Sequence, residues 1–176
     1  MSIHEAIEFA AVAHRGQVRK GSDTPYIVHP AEVMQILTEN GCEEKVIVAG
    51  LLHDTVEDAG VRLSEIEERF GSEVAAIVAA ETEDKSKSWK ERKQATVDRI
   101  GDESFEAQLV CSADKLSNIR SMLFDRKKVG EKLWERFNAP QDQIAWYYRS
   151  VVCSLAALAD YEMYRELEKN VKEMFG

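Results

Sequence analysis

The sequence predicts an all-α fold, and three observations carry that reading. Apolar residues recur at three- and four-residue spacing through most of the chain. No stretch sustains the alternation of a half-buried strand. Helix start and stop residues bracket the periodic stretches.

Taken in order, the first helix spans Ile3 to His14, with Ile3, Ala6, Ile7, Ala10 and Ala11 at helical spacing, and it runs out at Gly16. Residues 14–30 have no clear period but two glycines, two prolines and a basic knot, so they read as an ordered loop. Arg19 and Lys20 in that loop are either a solvated face or groups that meet a base ring and an anion. Pro30 opens a helix from about Ala31 to Glu39, burying Val33, Ile36 and Leu37, and Asn40-Gly41 stops it. A central helix is expected from Glu43 to Thr55, with its acidic tail ended by Gly60. Ser64-Glu65-Ile66-Glu67 has a capping-box pattern and opens a short helix closing at Phe70-Gly71. Ser72 is placed to cap the next helix, which carries Val74, Ile77 and Val78.

The stretch from Glu81 to Lys93 is highly charged, with a Lys/Arg-rich run over residues 85–93. It reads as a solvated face or as a flap that contacts phosphates. A helix follows from Trp89 to Ile100. A long helix from Glu103 to Phe124 has Leu109, Leu116 and Leu123 one heptad apart. Beside them runs a small polar stripe of Asp114, Ser117, Asn118 and Ser121. An aspartate so close to the leucines should be buried and needs a partner. Leu133 to Phe137 is a short helical piece, and Gln141 opens a final long helix whose aromatics, Trp146, Tyr147 and Tyr148, read as core in preference to a ligand platform. The charged turns from Tyr164 to Gly176 are expected to fray.

At 176 residues, 44% hydrophobic and 31% charged, the chain is most simply one domain over residues 1–176 with a real core. The formal charge of −9, from 32 acids against 23 bases, argues against non-specific binding to a nucleic acid polymer. Apolar runs are too short to span a membrane and no signal peptide is evident, which points to the cytoplasm. The sequence leaves an oligomer open without indicating one. Cys42, Cys111 and Cys153 are far apart and read as small core residues.

The chain is organised around Ala49-Gly50-Leu51-Leu52-His53-Asp54-Thr55-Val56-Glu57-Asp58. On a continuous helix His53 stacks over Glu57 and Asp54 over Asp58. Such groups, carried into a core, are costly if unpaired, and a metal ion satisfies them. The bland alternative is a helix end with solvated acids. His29, His53, Asp54 and Asp114 are the buried polar candidates. Two imidazoles with two carboxylates suit a borderline divalent ion such as Mn²⁺, Fe²⁺ or Zn²⁺, with room left for water and substrate. Glu57 and Asp58, one turn on, are placed to position a water and take its proton.

His29-Pro30, the pair His53-Asp54 and the distant Asp114 resemble the H…HD…D signature of the HD phosphohydrolase superfamily, a helical bundle. The residues from Ala13 to Gly21, from Pro25 to Pro30, from Ala49 to Asp58 and from Asp114 to Arg120 are similar to RelA/SpoT-type hydrolase domains. The resemblance covers about Ile3 to Leu158, and no synthetase, TGS or ACT region follows, so a stand-alone small alarmone hydrolase is implied. It further implies that His29, His53, Asp54 and Asp114 bind Mn²⁺, that Glu57 and Asp58 activate the attacking water, and that Arg19, Lys20, Asn118 and Ser121 hold the nucleotide. The implied reaction removes the 3′-pyrophosphate of guanosine tetra- or pentaphosphate. The competing readings are a phosphohydrolase of NADPH or another nucleoside phosphate, and a non-catalytic nucleotide-binding module.

Overall fold

The computed structural model describes residues 2–176. In chain order the elements are α1 (Ile3–Ala13), α2 (Val28–Glu39), α3 (Glu44–Leu52), α4 (Thr55–Ala59), α5 (Leu63–Phe70), α6 (Ser72–Glu81), α7 (Trp89–Ile100), α8 (Phe105–Val129), a 3₁₀ segment (Gly130–Arg136), α9 (Gln141–Ser154), a second 3₁₀ turn (Ala156–Leu158) and α10 (Glu162–Phe175). Among the described residues there is no strand, only an isolated bridge between Val18 and Pro25 inside the first loop. The all-α expectation therefore holds.

Local chemistry sets the starts. Ser2 Oγ accepts the Glu5 N–H, and the Glu5 carboxylate accepts the Ser2 N–H, closing a reciprocal cap on α1. Ser88 and Glu91 do the same for α7. The α5 cap departs from expectation. Glu65 reaches back to the Arg62 N–H, so the helix begins at Leu63 and Ser64 lies inside it. Ser72 likewise lies inside α6, with Gly71 before it, and makes no cap hydrogen bond.

Helix α8 is the axis. Helices α2, α3, α6 and α10 pack along it, and Ala113, Leu116 and Ile119 are fully buried at the middle. Helix α3 is buried on every face from Val46 to Leu52. It crosses α2 closely enough that a Cβ on Gly50 would run into Leu37 and come within 3.1 Å of Val33. That close crossing brings His29 of α2 beside the end of α3.

Three expectations are corrected. The central helix is not continuous: α3 stops at Leu52, His53 and Asp54 form a turn, and α4 starts at Thr55. Side chains make the break. His53 Nδ1 lies 2.8 Å from the Gly50 carbonyl, and Thr55 Oγ1 donates to the Leu52 carbonyl at 2.7 Å. Those are the carbonyls that backbone N–H groups four residues on would otherwise use. The C-terminal turns do not fray. They form α10, whose Met163, Leu167, Val171 and Met174 are buried at helical spacing. Finally, Cys111 is in the core but Cys42 is only half-buried and Cys153 is exposed.

Candidate metal centre and adjoining cleft

Four side chains from three regions of the chain meet at one point. His29 comes from the first turn of α2, His53 and Asp54 from the break between α3 and α4, and Asp114 from the buried face of α8. His29 Nε2 lies 3.3 Å from His53 Nε2, 3.1 Å from Asp114 Oδ1 and 3.5 Å from Asp54 Oδ2. His53 Nε2 lies 3.1 Å from Asp54 Oδ2 and 3.7 Å from Asp114 Oδ1. Ligands bonded at about 2.1 Å to one ion stand about 3.0–3.4 Å apart in octahedral or tetrahedral arrangements. The observed separations have that size, and His29, His53 and Asp114 by themselves form a group whose ligand atoms are all within 4.8 Å.

The imidazoles are also turned correctly. A carbonyl only accepts, so His53 Nδ1 must donate to Gly50, leaving Nε2 as the nitrogen aimed at the cluster. His29 Nδ1 is 2.8 Å from Ser117 Oγ, again leaving Nε2 inward. Electrostatics agree with a cation site. Burial pulls the His53 imidazole down, but Asp54 and Asp114 outweigh it and hold its pKa well above the ordinary value. Burial pushes both carboxyls up, yet His53 and His29 bring Asp54 well below the usual range, and Lys115 with the two histidines does so for Asp114. A cluster that holds a proton this firmly offers the potential and the donors a divalent ion requires.

Around the cluster stand residues the sequence reading did not single out. Tyr26 donates its hydroxyl to Asp54 Oδ2 at 2.6 Å and reaches Asp58 Oδ2 at 3.3 Å. Its signal was a tyrosine in an apolar stretch, whose hydroxyl needs a partner once the ring is packed. Lys115, partly buried, pairs with Asp114 and lies 5.7 Å from the Tyr147 ring centre.

Glu57 and Asp58 lie on α4 just beyond the ligands. Glu57 Oε2 accepts the Glu83 N–H at 3.1 Å, and burial raises its carboxyl above the ordinary value. Lys85 lies 2.6 Å from Asp58 and 3.9 Å from Glu57. The charged run is thus more than a solvated face. Arg92 and Lys93 both pair with Glu83, at 3.1 and 2.7 Å, and Lys90 stands 3.1 Å from the Trp146 ring centre.

Next to Asp114 opens a cleft of about 270 Å³. Arg19, Lys20, Asn118 and Ser121 line it with Trp89, Arg136 and the buried rings of Tyr147 and Tyr148. Asn118 joins cleft to cluster: its Nδ2 donates to Asp114 Oδ1 at 2.6 Å, and its Oδ1 accepts from Arg19 Nη2 at 2.7 Å. Lys20 donates to Asn138 Oδ1 at 3.3 Å.

The HD domain family profile matches residues 6–138, three quarters of the chain and all four clustered side chains. The chain belongs to the HD domain family. Over 121 residues this HD domain chain is 46% identical to guanosine-3′,5′-bis(diphosphate) 3′-pyrophosphohydrolase MESH1 of Homo sapiens, covering 67% of this chain and 68% of the relative. It is 39% identical over 121 residues to the Drosophila melanogaster protein of the same name, covering 67% and 68%. Among solved structures, one described as a metazoan ortholog of SpoT that hydrolyzes ppGpp superposes with a TM-score of 0.79 at 32% identity, covering 99% of this chain and 95% of that one. A Listeria monocytogenes EGD-e protein superposes with the same score at 34% identity, covering 84% and 98%.

Proposed function

We propose that this chain is a metal-dependent pyrophosphohydrolase that converts guanosine tetra- and pentaphosphate to GDP or GTP and pyrophosphate. One observation carries the reading: two imidazoles of fixed tautomer and two carboxylates converge beside a cleft lined by cations and aromatic rings. Relatives named for this reaction support it.

In this reading His29, His53, Asp54 and Asp114 hold the ion, and Mn²⁺ is the choice we favour for a mixed nitrogen and oxygen donor set. When bound, the ion supplies Lewis-acid polarisation of a phosphoryl oxygen and a more acidic water. Glu57 takes a proton from the attacking water, and burial, by raising its carboxyl above the ordinary value, makes it a stronger base. Asp58, held by Tyr26 and Lys85, orients that water. The water oxygen bonds to the phosphorus carried by the ribose 3′-oxygen. The bond from that phosphorus to the 3′-oxygen breaks, the 3′-oxygen is protonated, and pyrophosphate leaves. Arg19, Lys20, Asn118 and Ser121 hold the nucleotide, Arg19 with its planar guanidinium against the guanine ring. The 176 residues act as one domain, and we place the reaction in the cytoplasm. No helix among the described residues is long and apolar enough to cross a membrane.

The test is an assay of guanosine tetraphosphate with Mn²⁺ and with chelator, following GDP, pyrophosphate and orthophosphate. Pyrophosphate release that depends on Mn²⁺ is expected. His53→Ala should lose both metal and turnover. Glu57→Gln should keep the metal and lose turnover by about 100-fold or more. Release of orthophosphate, or wild-type turnover by Glu57→Gln, would overturn the assignment.

A further inference from the structure

We propose that Glu32 is a positioning residue for His29, acting through Ser117 to hold the ring proton on Nδ1 and leave Nε2 free for the metal. The inference rests on the metal reading above and concerns residues that reading leaves without a role.

The chain of contacts is short. His29 Nδ1 lies 2.8 Å from Ser117 Oγ, and Ser117 Oγ lies 2.8 Å from Glu32 Oε2. A serine has one hydroxyl proton, and an ionised carboxylate can only accept. Ser117 therefore spends its proton on Glu32. Its oxygen must then accept from His29, which places the imidazole proton on Nδ1 and the free lone pair on Nε2. Nε2 is the atom 3.1 Å from Asp114 and 3.3 Å from His53. With Glu32 gone, the hydroxyl proton is free to turn toward Nδ1. The opposite tautomer, with a hydrogen pointing into the metal site, then competes.

The two imidazoles are thus set by different devices. His53 is fixed by the Gly50 carbonyl, a backbone group that no substitution removes. His29 depends on two side chains. Their placement is reciprocal: α2 carries His29 and, one turn on, Glu32, while α8 carries Asp114 and, one turn on, Ser117. Each helix supplies a ligand and part of the support for the His29 ring. Ser117 is 1% exposed, so water does not compete for its proton.

The chain continues outward. Arg120 Nη1 lies 3.4 Å from the other oxygen of Glu32, and Arg120 grips Glu166 of α10 through Nε at 2.7 Å and Nη2 at 2.6 Å. Arg120 keeps its Glu166 partner when Glu32 is replaced. The Glu32 side chain is 33% exposed, so its truncation opens no core cavity.

The experiment titrates metal-free wild type, Ser117→Ala, Glu32→Ala and Glu32→Gln with Mn²⁺ and Zn²⁺, and records the histidine ring N–H signals of the zinc-loaded proteins by NMR. Both alanine variants should bind about 10–100-fold more weakly. The His29 Nδ1–H signal, slow to exchange with water in wild type, should broaden or vanish in both. Glu32→Gln should fall between wild type and Glu32→Ala in both readouts, because its amide oxygen accepts from Ser117 in one orientation and its NH2 group donates to Ser117 in the other. Wild-type affinity in both alanine variants would overturn the role of Glu32 and leave the metal site standing. A loss of affinity in Glu32→Ala with the His29 Nδ1–H signal unchanged would also overturn it, since charge and not hydrogen-bond direction would be the cause. Failure of wild type to bind either ion would instead remove the metal reading itself.

Discussion

Replacing Glu81 with glutamine should make the protein more stable, by a margin that grows from about pH 4.5 and is complete above about pH 7. Glu81 closes α6, and its Oε1 is buried with no hydrogen-bond partner. Burial is the main reason its carboxyl is pushed up to about 7 from 4.5; Asp114 adds to the rise, while Lys115, His53 and Arg99 oppose it. Below about pH 4.5 the group is protonated in both the folded and unfolded chain and contributes nothing. Between 4.5 and 7 the unfolded chain ionises while the folded one resists, so folding stability falls as pH rises. Above that window the penalty is complete. At 1.36 kcal/mol per pH unit it amounts to about 3 kcal/mol. Glutamine keeps the shape and removes the charge. Urea unfolding of metal-free protein should therefore show Glu81→Gln level with wild type at pH 4.5 and more stable by about 2–3 kcal/mol at pH 8. Equal stability of the two proteins at both pH values would refute the reasoning, because it would mean the carboxylate is solvated or paired.

Other expectations follow from named contacts. Gly50→Ala should destabilise by about 1–2 kcal/mol, although helix propensity alone favours alanine by about 1 kcal/mol, because the added methyl meets buried Leu37 and Val33; a rise in thermal midpoint would contradict this. Leu167→Ala should cost about 2–5 kcal/mol in chemical denaturation, since Leu167 is fully buried where α10 joins the core. A cost under about 1 kcal/mol would return α10 to a frayed tail. Arg19→Ala should raise KM about tenfold with kcat little changed, as expected for a contact made equally in the bound and reacting states. Steady-state kinetics decide it, and a matching fall in kcat would place Arg19 at the reacting phosphate.

The buried cluster was legible because its four residues differ so sharply from their apolar settings: His53 follows Leu51-Leu52, and Asp114 lies beside a leucine heptad. The elements were legible wherever spacing and punctuation agreed, as in α7, which runs from Trp89 to Ile100 as expected. The break at His53 was not, because local propensity says nothing about a side chain taking a carbonyl from its own helix. Helix α10 was misjudged for another reason. Its many charges hid a clean apolar stripe, Met163, Leu167, Val171 and Met174, which only packing against α8 makes meaningful. The Glu32–Ser117 contact spans 85 residues and depends on the register of α2 against α8, which no linear spacing reports.

The interruption between α3 and α4 has a further consequence. The pair His53–Asp54 sits at the joint, not within either rod, and Glu57 and Asp58, the acids proposed to handle protons, ride on the shorter rod beyond it. Changes of length or lean in α4 would swing Glu57 and Asp58 to a new spot while His53 stays tied to Gly50 behind the joint. Under the proposed function, a scaffold jointed in this way separates the residues that hold the ion from those that direct the water, so that the second can be re-aimed without disturbing the first.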